Sequence, residues 1–498
     1  MWTEFSIAAT ALFTPMHFLL VLFGVAIGLV FGVIPGLSTT MAISLCLPLT
    51  FSMETESGLA LLLGIYIGGI SGGLVSAILL NVPGTAASVA TTFDGYPMAC
   101  QGKADKALGY GIVASFTGGL ISIVALIFIS PGLAKIAIKF GSYEYFSLML
   151  FALTMIITMS SKNILRGTMS GVLGMLFAMV GGAPIDGLPR LTGGFRQLNG
   201  GFNLVAVLIG VFAVSELFQL AYRGENAQQG TIIRCKVKGF GITMKEWVSQ
   251  TVNVLRSSAI GILIGILPGI GGALASILSY DLAKKTSAHA ESFGTGCPDG
   301  VVASETANNA SIGGAMIPLL SLGIPGDAVT ALLLGAMTMQ GIAPGPLLFS
   351  NKPDLMYYIF LTLLVANCAM LFLEFFSIKG FVKLLKIPQK ILIPSISLLC
   401  ILGAYGLSHR VFDIMTIFVF GILGYFMKKW DFSFPPFIIG YIIGPYAELY
   451  FRRSLMYSDN SLVPFFTSPI SCCFIIASCA SVVFSFWQAT KKRHTESF

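Results

Sequence analysis

The sequence predicts an all-α integral membrane protein built from two inverted-topology repeats whose helical hairpins are broken by Pro-Gly pairs. Three observations predict it. Of 498 residues, 55% are hydrophobic and 10% charged, which leaves a soluble fold too few polar groups to cover its surface. Apolar windows near the roughly 20 residues that a bilayer core requires recur along the chain. The two halves also repeat one another around matching Pro-Gly breaks.

The windows of the first half are 17–36, 58–82, 107–130, 143–159, 167–183 and 201–222. The second half adds 257–279, 310–324, 328–342, 356–376, 391–407, 411–427, 435–451 and 464–487, and two or three of the whole set are expected to be re-entrant. The opening MWTEFSIAATALF has no basic n-region and no cleavage signature, so it reads as mature protein rather than a signal peptide. Nine cysteines are dispersed without a CxxC pair, which suits small packing residues rather than disulfides or metal ligands.

The net charge of +7 falls in loops, where basic residues flanking spans set orientation, so nucleic acid is an unneeded explanation. SSKNILR at 160–166, the segment 223–256 with RCKVK, KGFVKLLKIPQK at 379–390, KKW from Lys428 and the tail KKRH mark the cytoplasmic side. Residues 184–199 then fall in the periplasm. Lys135, Lys139, Arg452 and Arg453 lie outside on the same count, against the rule. Residues 223–256 form the long polar linker, and the chain divides accordingly. Residues 1–222 hold the first repeat plus scaffold helices, 223–256 the cytoplasmic linker, 257–390 the second repeat, and 391–498 the C-terminal membrane helices.

GLVFGVIPGLSTTMAIS from Gly28 matches GILIGILPGIGGALASI from Gly261, and SGGLVSAILLNVPGT from Ser71 matches IGGAMIPLLSLGIPGD from Ile312. This is duplication. The basic loops make 107–130 run outward and its counterpart 356–376 run inward, so the repeats are expected to be inverted. Proline in a membrane helix removes a donor and strands a carbonyl, and irregular backbone at membrane depth survives only where protein or a water-filled cavity satisfies it. Paired breaks therefore imply a cavity. After Asn81, Pro83 and Gly84, the hydroxyls of Thr85, Ser88, Thr91 and Thr92 stand where a short helix would begin, with its positive end toward the break. Such an end attracts an anion. Pro325, Gly326 and Asp327 present a second start from the opposite direction, and opposed tips are a common way to build a transport site. Ser71, Gly72, Gly73, Gly313 and Gly314 are expected to allow close backbone approach there.

A second polar cluster is ASETANNASIGG at 303–314. On a helix Glu305 shares a face with Asn308 and Asn309 at i+3 and i+4. A carboxylate and two amides suit a hard cation held by oxygens, or a proton acceptor. The competing reading is a helix cap outside the membrane. Asp94, in FDGYPM, is expected to shape a turn through its own side chain.

Other classes fit poorly. GISGG at 69–73 looks like the GxSG of intramembrane serine proteases, which need a histidine base, but His17, His289, His409 and His494 all fall outside mid-membrane positions. No GxxxxGK[ST] phosphate loop occurs. A channel or facilitator for small organic anions is the stronger rival, since Gly-rich re-entrant segments also line pores.

At NVPGTAASVATTFDGYPMACQGKADKALGYG (81–111) and FGTGCPDGVVASETANNASIGGAMIPLLSLGIPGDAVTALLLGAMTMQGIAPGPLLF (293–349) the chain resembles the large membrane subunit of the bacterial tripartite tricarboxylate transporters, the TctA family. The resemblance runs from about residue 17 to the C-terminus. It implies an elevator-like secondary transporter that takes up citrate or a related carboxylate across the inner membrane, as symport with sodium or protons. It also implies a small membrane subunit and a periplasmic solute-binding protein, and no cofactor beyond the coupling ion. On that reading the tips at 81–88 and 323–330 carry substrate, and Glu305, Asn308 and Asn309 couple the ion at a possible sodium site. By fold-level analogy, a repeat-built core moves against a scaffold of 143–183 and the C-terminal spans. Two departures bear on substrate. Asp299 stands where the family usually has Glu, and Asp327 where a small hydroxyl residue is common, so an acid sits at the second tip, where it disfavours a bound anion and favours a cation beside it.

Overall fold

The computed structural model describes residues 2–159, 164–223, 241–269, 271–384 and 389–496. Residues 224–240 of the basic linker, including RCKVK, and the 160–163 and 385–388 parts of the basic loops lie outside the described residues.

The first half contains α1 (Trp2–Leu12), α2 (Pro15–Val33), α3 (Thr39–Thr50), α4 (Thr55–Leu80), α5 (Val89–Cys100), α6 (Ala104–Ala137), α7 (Ser142–Met159) and α8 (Ile164–Ala178). A short antiparallel ribbon pairs β1 (Gly181–Gly182) with β2 (Pro189–Arg190). Helix α9 (Leu204–Leu208) passes through a π-turn (Ile209–Val214) into α10 (Ser215–Arg223). The second half holds α11 (Met244–Val248), α12 (Thr251–Ile266), α13 (Gly271–Thr286), α14 (Pro298–Leu322), α15 (Ala328–Met339), α16 (Leu348–Asn351) and α17 (Pro353–Leu384). It ends with α18 (Gln389–Ser408), α19 (Val411–Lys429), α20 (Phe434–Tyr457), α21 (Val463–Thr467) and α22 (Pro469–Glu496). Six helices among the described residues are long and apolar enough to cross a membrane. The protein is therefore a multi-pass, all-α membrane protein. The eight cysteines among the described residues are free.

Four of the six Pro-Gly pairs interrupt helices, whereas Pro131 and Gly132 lie inside α6 and Pro344 and Gly345 in the loop before α16. Pro35 and Gly36 separate α2 from α3, Pro268 and Gly269 separate α12 from α13, Pro83 and Gly84 follow α4, and Pro325 and Gly326 follow α14. The interruptions after α4 and α14 share their backbone solution. Asn81 and Gly323 end α4 and α14 in the left-handed region at φ 58° and 72°, the usual way to satisfy the last carbonyls of a helix.

The halves pack reciprocally. Helix α4 lies on α2 as α14 lies on α12, while α4 meets α17 of the other half and α14 meets α6. Helix α3 touches α15, and α13 touches the short turn Ala86–Ser88 that opens α5. Missing side chains set the register. A Cβ on Gly28 would lie 2.4 Å from the Ile65 carbonyl oxygen and one on Gly261 2.5 Å from that of Ala307. The next turn repeats the contact, Gly32 on Gly69 and Gly265 on Ser311. Backbones this close gain dispersion contacts that lipid cannot replace.

Helices α7, α8, α20 and α22 pack mainly on one another. Their apolar cluster (Leu148, Met149, Ala152, Leu153, Ile439, Ile443, Ala447) includes Ile324 from the second tip. Helices α18 and α19 pack instead on α3 and the π-turn, so the C-terminal spans divide between this group and the main core. Ion pairs mark the two ends of α20. Arg166 reaches Asp431 at 3.4 Å beside its start. Near its other end Arg190 forks onto Glu448 at 2.8 and 2.6 Å, and Arg452 binds Asp186 at 2.8 Å. Arg452, expected from the sequence to lie on the periplasmic side, is thus paired with acids beside it.

Candidate functional site

The two tips are built alike. The Thr85 N–H donates to Ser88 Oγ at 3.2 Å, and the Ser88 backbone returns to the Thr85 side chain, a capping box. In the second half the Asp327 N–H donates to Thr330 Oγ1 at 2.8 Å and the Thr330 N–H to Asp327 Oδ1 at 2.7 Å. The first donors of both short helices are therefore partly satisfied from within. Tyr66 of α4 donates its hydroxyl to Asp327 Oδ2 at 2.8 Å, tying the first repeat to the second tip. Asn81 is exposed and Pro83 half-buried, while Pro325 is buried beside the hydrogen bond from Gly269 N–H to the Gly326 carbonyl, 2.8 Å long.

The glycines serve helix crossings as well as tips. A Cβ on Gly72 would lie 2.8 Å from the Leu29 carbonyl oxygen, on Gly313 2.4 Å from that of Ser122, and on Gly314 2.6 Å from that of Ile262. Their close approach is to neighbouring helices. Gly73 faces a tip, its Cβ position 2.6 Å from Thr85 Oγ1. Gly84 and Gly326 have no positive φ, so their requirement is space. A Cβ on Gly84 would come within 2.1 Å of the Gly32 carbonyl oxygen, and on Gly326 within 2.6 Å of that of Gly265.

Glu305 sits inside α14, fully buried with Ser304, Asn308 and Asn309. It is no exposed cap. Thr91 of α5 donates to Glu305 Oε1 and also touches Ser304 Oγ at 3.1 Å. Ser115 of α6 reaches Oε2 at 3.3 Å, with the Asn308 and Asn309 amides at 3.4 and 3.5 Å. The cluster therefore lies where α5 and α6 of one half meet α14 of the other. Asn308 Nδ2 also reaches the Ile70 carbonyl at 3.5 Å. The amide oxygens Asn308 Oδ1 and Asn309 Oδ1 are buried without a hydrogen-bond partner, which is costly in a protein interior.

Asp94 does something other than the expected local turn. Its Oδ1 accepts from the N–H groups of Gly294, Gly296 and Cys297 at 2.8, 2.9 and 2.8 Å. Tyr280 donates to Oδ2 at 2.8 Å. The carboxylate of one half thus pins the FGTGCP loop that opens α14 of the other. A local rule cannot see a partner some 200 residues away.

Sequence reasoning also missed Glu374 of α17. Its Oε2 accepts from Ser71 Oγ at 2.6 Å, and its buried Oε1 has no partner. The signal was present, a lone acid in the apolar run CAMLFLEFFSI. The side chain against Ser71 is therefore a carboxylate, not the histidine base a serine protease needs.

A profile of the tripartite tricarboxylate transporter TctA family matches residues 18–439. The chain belongs to the TctA family. This TctA protein is 34% identical over 485 residues to the uncharacterised 52.8 kDa protein of the TAR-I ttuC′ 3′ region of Agrobacterium vitis, covering 97% of this chain and 96% of that one. It is also 34% identical over 238 residues to the uncharacterised protein of the TAR-II ttuC′ 3′ region of the same organism, covering 48% of this chain and 98% of that one. No solved structure matches. Family membership makes the chain a subunit of a tripartite transporter with other subunits.

Proposed function

We propose that this TctA subunit carries out secondary active uptake of a tricarboxylate such as citrate, or a related carboxylate, across the bacterial inner membrane. Uptake is coupled to a sodium or proton gradient. A periplasmic solute-binding protein delivers the substrate, and a small membrane subunit completes the complex. The observation that carries this reading is the Glu305 cluster, an acid ringed by hydroxyls and amides and buried between halves beside two self-capped Pro-Gly tips.

Its parts take separate roles. Glu305, Asn308 and Asn309 supply hard oxygen ligands suited to sodium, and the two unpartnered amide oxygens are acceptors a cation would satisfy. The tips at 81–88 and 323–330 hold the anion through backbone N–H groups and hydroxyls. No lysine or arginine lies in either tip, in keeping with the roughly 2.5–3.5 kcal/mol that an intramembrane cation costs on insertion scales. The reciprocal packing supports repeats inverted across the membrane. The separate apolar cluster of α7, α8, α20 and α22 supports a scaffold against which the core moves.

Uptake of a labelled carboxylate panel into right-side-out vesicles tests the reading, with and without the binding protein and at varied sodium and pH. Accumulation against the gradient that needs the binding protein and an ion gradient is expected. Equilibration without accumulation would make the protein a channel.

A further inference from the structure

Glu374 is a buried carboxylate that the substrate and sodium assignments leave unused. It lies on α17, among lipid-facing neighbours such as Phe372 and Phe376 that are 59% and 75% exposed, yet is itself 0% exposed. The side chain points inward to α4. One oxygen meets Ser71 Oγ at 2.6 Å and the other has no partner. No lysine or arginine among the described residues forms an ion pair with it.

The charged groups of the surrounding helices are few. Helix α4 carries only Glu56 in its first turn, α2 only His17, and α1 only Glu4. Helix α6 bears Asp105, Lys106 and Lys135 near its ends. Helix α17 itself has Asp354 at its start and Lys379 and Lys383 beyond Glu374. Glu305 of α14 is another acid buried between the two halves.

An ionised carboxylate in that setting would lack both water and a counter-ion, at a cost of several kcal/mol. Two species could relieve it. A sodium ion needs several oxygens, and Glu374 has a single hydroxyl beside it, whereas Glu305 has Thr91, Ser304, Ser115 and two amides close by. A proton needs only one acceptor. With the proton on Oε2, that group donates to Ser71 Oγ across the same 2.6 Å, and Oε1 becomes a carbonyl oxygen that tolerates having no partner better than a carboxylate does.

We propose that Glu374, with Ser71 as its hydrogen-bond partner, is a proton-binding site distinct from the Glu305 cation cluster. It deepens the transport reading by dividing the coupling ions between two acids, one rich in neighbouring oxygens and one poor. Because Ser71 lies on α4 beside the glycine contacts to α2, protonation changes a contact between the halves, α17 of one on α4 of the other.

Infrared difference spectroscopy of the purified protein tests the site without substrate, so its result stands apart from the transport reading. A carboxylic-acid C=O band sensitive to D2O is expected to titrate with pH, and to be lost in Glu374→Gln. In Ser71→Ala the midpoint is expected to rise by about one pH unit, because the lost hydroxyl favours the charged form. In vesicles at saturating sodium, Glu374→Gln is expected to lose the pH dependence of uptake while keeping its sodium dependence. A spectrum without a band that depends on Glu374 would overturn the proposal. So would an unmoved midpoint in Ser71→Ala, or a wild-type pH profile in Glu374→Gln. Should Glu374→Gln fail to reach the membrane, the Ser71→Ala midpoint decides alone.

Discussion

Tyr280 of the second half donates its hydroxyl to Asp94 of the first at 2.8 Å, on the carboxylate whose other oxygen holds three backbone N–H groups. Four donors thus converge on one buried acid. The carboxylate completes the start of α14, and α14 carries Glu305.

Asp94→Ala leaves three amides and a phenol without their acceptor. Hydrogen bonds to a charged group contribute about 1.5–3 kcal/mol each, so the loss is expected to exceed roughly 3 kcal/mol. The apparent melting temperature in detergent should fall clearly, and Asp94→Asn, which keeps an oxygen, should fall less. Equal melting of all three proteins would mean that the loop is held by its own turns.

The coupling cluster makes a functional prediction. Glu305→Gln and Asn309→Ala are expected to abolish concentrative uptake while the protein still inserts, because each removes an oxygen ligand or the titrating group. Thr91→Val, which deletes the hydroxyl bound to Glu305 from the other half, should weaken uptake by a smaller factor. Normal accumulation in the first two would reduce the cluster to helix packing.

Much of this arrangement is legible in the sequence, and the limits have physical causes. The four repeated Pro-Gly breaks are readable because each recurs at the matching place in the other half; a missing donor alone does not end a helix, since Pro131 lies inside α6. Glu305, Asn308 and Asn309 share a face because helical spacing is local. Asp94 and Ser71 are different, since their partners Tyr280 and Glu374 lie in the other half, and only tertiary packing brings them together. Conformation at the tips was equally hidden. The left-handed residues are Asn81 and Gly323, whereas Gly84 and Gly326 serve close contact, a distinction that a Pro-Gly pair alone does not carry.

Lys106, at the start of α6, binds Glu246 of α11, which lies outside the membrane-spanning segments and also caps α11 through Thr243. The Lys106 hydrogen bond, aided by the Thr243 contacts, holds the Glu246 carboxyl below the usual carboxylate range, at about 2. A lowered value contributes stability that is fully present above the unfolded value near 4.5 and fades as pH falls towards 2. Trp247 on the same short helix reports it. Its fluorescence should stay constant from neutral pH down to about 4 and change below that, and Glu246→Gln should flatten the transition. An unchanged transition in the variant would place its origin in another acid.

The tips yield the sharpest contrast. At Gly84 even a methyl group would sit 2.1 Å from the Gly32 carbonyl oxygen, and at Gly326 2.6 Å from that of Gly265. The obstructing atoms are backbone, which cannot swing aside, so Gly84→Ala and Gly326→Ala are expected to disrupt transport nearly as strongly as valine would. Thr85→Ala and Ser88→Ala remove only capping contacts, and should weaken apparent affinity or stability by about 0.5–2 kcal/mol each. Gly132 supplies the control, a helical glycine whose Cβ would meet nothing within 4 Å. Gly132→Ala should be neutral or slightly stabilising, since alanine is the better helix former. Transport kinetics and melting of all five variants at matched membrane levels measure the contrast. If Gly84→Ala and Gly326→Ala transport like Gly132→Ala, the tips have room for a side chain, and the close backbone contact assigned to them does not govern function.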